Sequence, residues 1–272
     1  MTGEAVATSQ LDERMAFYDR ALEYTPFLAT AAGGGLFLVK TEDKHIGRSL
    51  FAKQGGTGSV LDAGCGTGNV TRVLHERLPG GRVIAVDAAP SMVEQARDLL
   101  PAAVEVRRAD LLELTLSERV DAVLSTATFH WIGDHDRLFA RLHAALKPGG
   151  RLVAQCGGHG NVAEIKRAGF AAAAEPRFAE FFEGWATDWT FATPQDTERR
   201  LAGAGFTDVW CWLTRVDVDP GDPAGYLGAI CLGSFLERLP EELRGSFVAA
   251  ALERLPQPLE IHYVRLNILA RA

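Results

Sequence analysis

The sequence predicts an α/β domain built on a mostly parallel, seven-stranded sheet with helices on both faces. Three observations carry this reading. Short apolar runs alternate with helix-period patterns between residues 58 and 156. A glycine-rich turn joins the first run to the first helical stretch. Two further β-like runs return after a long helical region. A chain of 272 residues suits one or two domains and can bury a large core without disulfides or structural metals.

The first strand is expected over residues 59–63, an apolar run that stops at glycine. Further strands follow at 82–87, 104–106, 120–125 and 150–155. Between them, residues 70–78, 91–100 and 136–146 place apolar side chains at helical spacing. Ser91 with Glu94 three residues on reads as a capping box, and Asp134 or Asp136 as the cap of the 136–146 helix. Strand, helix, strand in repetition makes a Rossmann-like sheet, because a parallel crossover returns each strand beside its predecessor. Beyond residue 157 the pattern changes to a helix over 163–174, an aromatic-rich segment (Phe178, Phe181, Phe182, Trp185, Trp189) and a helix over 195–204 ended by Gly205. Residues 209–218 read as a strand, 222–255 as helices and 261–269 as a final strand. The expected organisation is one domain over 1–272. Residues 58–156 form its ligand-binding core, 157–205 and 219–258 its helical cap insertions, and 1–57 a segment laid over the ligand site. The aromatics are read first as the cap's own core and second as a pocket lining.

Lys+Arg number 28 against Asp+Glu 35, a net charge of −7. No overall positive field draws the chain to nucleic acid or anionic lipid. The first residues lack the basic and apolar regions of a signal peptide, and no run of about 18 apolar residues predicts a membrane span. The four cysteines, Cys65, Cys156, Cys211 and Cys231, form no C-x-x-C pair, which points to reduced thiols and a cytoplasmic setting. Asp134, His135, Asp136 and His159 match no metal-ligand spacing, so no metal is expected.

The most informative stretch is Val60-Leu61-Asp62-Ala63-Gly64-Cys65-Gly66-Thr67-Gly68-Asn69. Glycines at the end of a strand allow a sharp turn and close approach of a ligand to the next helix. A dinucleotide fingerprint would need glycine where this chain has Asn69, and Asp62 is a poor neighbour for pyrophosphate. The acid suits a cationic ligand better. Asp87, ending the second strand, is placed to accept from ribose hydroxyls. Asp110, after the third, is placed to accept from an adenine amino group. Each acid is otherwise an ordinary turn or cap residue.

These motifs resemble those of the class I S-adenosylmethionine-dependent methyltransferases. VLDAGCGTG is similar to that family's first motif, VIAVDAAPSMVEQAR to its second and RRADLLEL to its third, while LKPGGRLVA resembles its turn into strand five. The resemblance implies that Gly64, Gly66 and Gly68 line the methionine part of the cofactor. It implies that Asp62 orders the loop near the ammonium, Asp87 holds the ribose, Met92 packs on the adenine and Asp110 binds its amino group. Leu111 and Ser125 are the remaining cofactor contacts it implies. The implied cofactor is S-adenosyl-L-methionine, with S-adenosyl-L-homocysteine as product. Ser125-Thr126-Ala127-Thr128-Phe129-His130-Trp131-Ile132 and the tail Tyr263-Val264-Arg265-Leu266-Asn267-Ile268 resemble the trans-aconitate methyltransferase-like branch of small-molecule enzymes.

Methyl transfer from a sulfonium needs alignment of the acceptor and exclusion of water. A carboxylate acceptor needs no base; a phenol, hydroxyl, amine or carbon usually does. His130 is the candidate base or, alternatively, a histidine packed beside Trp131. Trp131 is an acceptor wall or core. Arg177, Arg215 and Arg265 are the guanidinium candidates for an acidic acceptor. The expected function is methyl transfer to a carboxylate or hydroxyl oxygen of a small molecule. The alternatives are an N- or C-methyltransferase of specialised metabolism using His130, and a non-catalytic S-adenosylmethionine-binding regulator. The expected partner is a small-molecule acceptor, without nucleic acid or membrane, and the expected state a monomer or homodimer.

Overall fold

The structure, a computed structural model, describes residues 58–187 and 189–272 together with a two-residue antiparallel pair, Ala31–Ala32 against Gly35–Leu36. The expectation that residues 1–57 lie over the ligand site therefore falls outside the described residues.

The first strand, β1 (Ser59–Ala63), is buried along nearly its whole length, as a central parallel strand covered on both faces must be. It pairs in parallel with β2 (Arg82–Asp87) from Ser59↔Arg82 to Ala63↔Val86, and with β4 (Val120–Thr126) from Val60↔Ala122. β3 (Glu105–Arg108) lies beyond β2, also parallel. β5 (Leu146–Gly157) continues the parallel set beside β4. The two late strands join the same sheet. β7 (Ile261–Arg271) runs antiparallel to β5, and β6 (Thr207–Val218) antiparallel to β7 at the edge. The order is β3-β2-β1-β4-β5-β7-β6. β5 starts earlier than residue 150 because Leu146 already pairs with Val120, across a register shift before Ala122.

Alternation along the strands feeds two cores, as period-2 side-chain direction requires. Leu61, Ala63 and Val123 face Leu138, Phe139 and Leu142 of α3 (His135–Ala145) and Leu201 of α5 (Pro194–Gly203). Val60, Ala85 and Ala122 face Val70 and Leu74 of α1 (Asn69–Glu76) and Ala96 of α2 (Pro90–Leu99). Asp134 caps α3 by accepting from the Arg137 N–H.

The capping box expected at Ser91 is absent. The N-cap is Ala89, with no side-chain bond, because Pro90 presets φ for the first helical position and starts α2 one residue earlier. The Asp87 side chain takes over part of that task, accepting from the Ala89 N–H at 2.9 Å.

A third apolar cluster gathers α4 (Ala163–Ala173), the helical turns from Leu227 to Leu236, α6 (Glu241–Leu252) and the first residues of β7. Phe178 is fully buried there, with its ring centroid 5.2 Å from that of Phe247. Phe181, Phe182, Trp185 and Trp189 pack against this cluster, the first of the two readings of the aromatic segment. Among the described residues, no helix is long and apolar enough to cross a membrane.

Candidate active site

The carboxyl ends of β1, β2 and β4, with the turn after β3, open into a cleft of about 980 Å³. The glycine turn builds one wall. Gly64, Gly66 and Gly68 have φ of +83°, +54° and +86°, values that favour glycine, and the turn leads directly into α1. The Gly64 and Cys65 N–H groups donate to the Val86 carbonyl at 2.8 and 3.0 Å, tying the turn to β2. The Gly66 N–H donates to Asp87 Oδ2 at 2.9 Å. Asp87 thus spans the glycine turn and the start of α2, and each of its oxygens keeps a lone pair for a further donor.

The second wall follows β2 and β3. Asp87, Met92, Asp110 and Leu111 all line the cleft. Asp110 Oδ1 accepts from the Leu112 N–H at 2.8 Å, while Oδ2 has no partner among the described residues.

The third wall follows β4: Thr126, Ala127, Thr128, Trp131, Ile132 and Gly133. The Thr128 hydroxyl lies 2.9 Å from the Thr126 carbonyl and 3.1 Å from that of Gly64, so the glycine turn and the β4 exit are locked together. Ala127 holds φ of +54°, uncommon for a non-glycine residue, and its N–H donates to Gln155 O at 2.7 Å. Trp131 is 53% exposed at the mouth, 5.9 Å from Trp189 in an edge-to-face contact.

Four of the candidate residues stand behind these walls rather than in them. Asp62 is wholly buried; Thr71 donates to its Oδ2 at 2.6 Å and its Oδ1 has no partner among the described residues. Burial, assisted by the nearby Asp87 charge and opposed by Thr71, pushes its carboxyl up to about 6. Gly68 lies against Leu100 at the start of α1. Ser125 is buried and donates to the Ala63 carbonyl at 2.6 Å, bracing β1 against β4. His130 is buried, and its Nδ1 accepts from the Gly157 N–H at 3.2 Å. That bond leaves the neutral ring its proton on Nε2. Burial first, then the Arg265 and His135 charges, pull it down to about 3. A ring with its only lone pair engaged and no affinity for a proton at neutral pH is not arranged as a base. His135 sits with Nε2 2.9 Å from the Phe129 carbonyl. Among the described residues no cluster of three or more His, Cys, Asp or Glu could hold a metal ion.

The sequence reading missed Ala127 and Thr128, although both lie within the quoted stretch. Their residue types carry no signal of a site, yet the chain direction after β4 turns them, and not the titratable His130, toward the cleft.

Two features suit S-adenosylmethionine. The lining carries Asp87 and Asp110 but, among the described residues, no Lys, Arg or His, and the Asp62 carboxylate, bonded by Thr71 at one oxygen alone among the described residues, stands behind it. This negative setting favours a cationic nucleoside over a pyrophosphate. Among the described residues nothing stands where a Cβ on Gly66 would be, leaving its backbone accessible to a ligand.

Comparison with known proteins agrees. Residues 60–150 match a methyltransferase domain model. The chain is 29% identical to trans-aconitate 2-methyltransferase of Variovorax paradoxus over 78% of this chain and 82% of that protein. It is 39% identical to malonyl-[acyl-carrier protein] O-methyltransferase of Acetivibrio thermocellus over 39% of this chain and 38% of the relative. The matches of 38–43% identity thus span well under half the length of those relatives. The fold is similar to the YcgJ protein of Bacillus subtilis, with a TM-score of 0.55 at 16% identity over 84% of this chain and 98% of that one. With the motifs in order on a 3-2-1-4-5-7-6 sheet, residues 60–150 match a methyltransferase domain, and the chain as a whole is similar to the S-adenosylmethionine-dependent methyltransferases of the trans-aconitate 2-methyltransferase type.

Proposed function

We propose that the protein transfers a methyl group from S-adenosylmethionine to an oxygen of a small molecule, and that this oxygen belongs to a carboxylate. One observation carries the choice of acceptor. The acids that suit ribose and adenine, Asp87 and Asp110, lie on the β2 and β3 side, so the reacting end falls toward β4. There the wall is Thr126, Ala127, Thr128 and Trp131, which holds no titratable side chain among the described residues. A carboxylate arrives already ionised at neutral pH and needs no base.

The bound cofactor supplies a methyl group activated by its sulfonium. Asp87 holds the ribose hydroxyls while keeping the glycine turn in place through the Gly66 N–H. Asp110 accepts from the adenine amino group, with Met92 and Leu111 against the ring. Asp62 provides negative potential near the ammonium, and Gly68 and Ser125 brace the turn from behind. Trp131 forms the acceptor wall. The cluster around α4 and α6 acts as a cap that excludes water from the acceptor, completing a single domain. The relatives' names support an oxygen acceptor on an acid: one is an O-methyltransferase and the other acts on trans-aconitate. Neither His130 nor a second class of acceptor has such support.

The test is transfer of isotope-labelled methyl from S-adenosylmethionine to a panel of small acids, phenols and amines, read by mass spectrometry. Products that mild base hydrolyses back to the acid are expected. Only base-stable products, or none, would reject the carboxylate acceptor.

A further inference from the structure

Three consecutive residues decide what the cleft presents beyond β4. The chain there makes a single 3-10 turn, Phe129–Trp131, and with three residues to the turn each side chain leaves in its own direction. Phe129 enters the sheet core, fully buried and edge-on to Phe139 at 5.9 Å. His130 stands behind the wall, where it accepts from the Gly157 N–H. Trp131 takes the remaining direction, into the cleft. Among the described residues it is the most exposed of the large apolar side chains, at 53%, and the one aromatic ring in the lining. An indole left half in water beside a cleft is apolar surface that a bound molecule can cover.

The ring is also braced from behind. His130 lies 5.0 Å from Trp131, Trp131 5.9 Å from Trp189, Trp189 5.7 Å from Phe191 and Phe191 5.8 Å from His130, a closed circuit of four rings. The Thr190 N–H donates to the His130 carbonyl at 2.8 Å, fastening residues 189–191 to the turn. Lys166 of α4 lies 5.8 Å from the centroids of both Trp189 and Phe191, so those rings meet a cation while Trp131 meets the cleft. A flat surface fixed in advance costs little further ordering when a flat partner stacks on it. Charge offers less grip. The lining carries Asp87 and Asp110 and, among the described residues, no cation. Arg177 and Arg215 pair with Glu175 and Asp217 at the surface, each at 2.8 Å, and Arg265 stacks on Tyr263 at 4.4 Å; none of the three lines the cleft. Recognition of an acid thus falls to its uncharged body.

We propose that the acceptor is an aromatic carboxylic acid whose ring stacks on Trp131, and that Trp131 is the residue that selects aryl acids over saturated ones. The proposal rests on the carboxylate-acceptor reading above. No bond forms or breaks at Trp131. A carboxylate oxygen attacks the methyl carbon, the carbon–sulfur bond breaks and its electron pair stays on sulfur. The products are the neutral ester and S-adenosylhomocysteine, and no proton moves.

The experiment compares benzoate with cyclohexanecarboxylate and phenylacetate with cyclohexylacetate, pairs that share a carbon skeleton and differ in aromaticity. trans-Aconitate and succinate are run alongside. Labelled ester is measured with the full-length protein, Trp131→Leu and Trp131→Phe, and S-adenosylhomocysteine affinity serves as the folding control. At least one aryl acid should exceed its saturated partner by about tenfold in kcat/KM, carried mainly by KM, the upper end of what an aromatic pair contributes. Trp131→Leu keeps apolar bulk without a π face and should reduce that ratio to below about twofold, while Trp131→Phe should keep at least about threefold. Equal reaction within each pair, or a ratio that survives in Trp131→Leu, would overturn the proposal while leaving the carboxylate acceptor intact. So would faster esterification of trans-aconitate or succinate than of every aryl acid. If Trp131→Leu loses cofactor affinity, Trp131→Met decides by the same ratio. Base-stable products only, or no ester from any acid, would overturn both readings.

Discussion

At the scale of single residues, three side chains separate the proposed cofactor site from the fold that supports it. Asp87 bonds two backbone N–H groups and faces the cleft. Asp87→Ala is expected to weaken S-adenosylhomocysteine binding at least about tenfold in calorimetry, because it removes charge-assisted acceptors and frees the glycine turn. Asp62 bears a folded-state carboxyl raised from 3.8 to about 6 by burial. An acid raised on folding favours the folded state most when protonated, so this contribution is present below about pH 4 and is lost as pH rises through about 6. The loss is about 3 kcal/mol at 1.36 kcal/mol per unit. A cationic cofactor favours the ionised form, so affinity should fall as pH drops below 6, by up to about tenfold per unit. Asp62→Asn should flatten both dependences, and calorimetry and urea unfolding between pH 4.5 and 7 read them directly. His130 binds the Gly157 N–H and stacks beside Trp131 and Phe191. His130→Ala should cost about 2 kcal/mol by leaving a buried donor unmet, yet leave the shape of the pH–rate profile unchanged. A lost ionisation in that profile would return His130 to the chemistry.

At the scale of elements, two glycines of the same turn differ in what a side chain would meet. A Cβ on Gly64 would stand 2.1 Å from Thr128 Oγ1, whereas one on Gly66 would meet nothing within 4 Å among the described residues. Gly64→Ala should therefore lower stability by more than the roughly 1–3 kcal/mol of a strained φ alone. Gly66→Ala should lose little more than that strain, yet lose cofactor affinity because its Cβ stands in the cleft. Thermal unfolding and calorimetry on the two variants separate these outcomes. The turn was legible because its chemistry is local: an acid, spaced glycines and a flanking apolar strand. The exit from β4 was not, because the positive φ at Ala127 and the Thr128 bond to Gly64 depend on a partner 64 residues away. Ser91 misled for the opposite reason. Its capping pattern is locally sound, but Pro90 begins the helix one residue sooner.

At the scale of the whole molecule, period and order in the sequence were enough to place seven strands and the helices between them. Parallel crossovers leave few ways to arrange such a series. The return of the 209–218 and 261–269 runs to the same sheet was legible from their β-rich pattern. The surroundings of Arg265 were not, since Arg177, Arg215 and Arg265 look alike in sequence and only the surface partners Glu175 and Asp217 set the first two apart. The central claim is methyl transfer to an oxygen that arrives ionised, in a cleft whose reacting end, among the described residues, supplies no base. Its most direct test is the pH dependence of kcat with a saturating acid and cofactor. The account predicts a rate constant within about twofold from pH 6.5 to 9, since the acceptor carboxylate is ionised throughout. A rise approaching tenfold per pH unit across that window would reveal a base and contradict it.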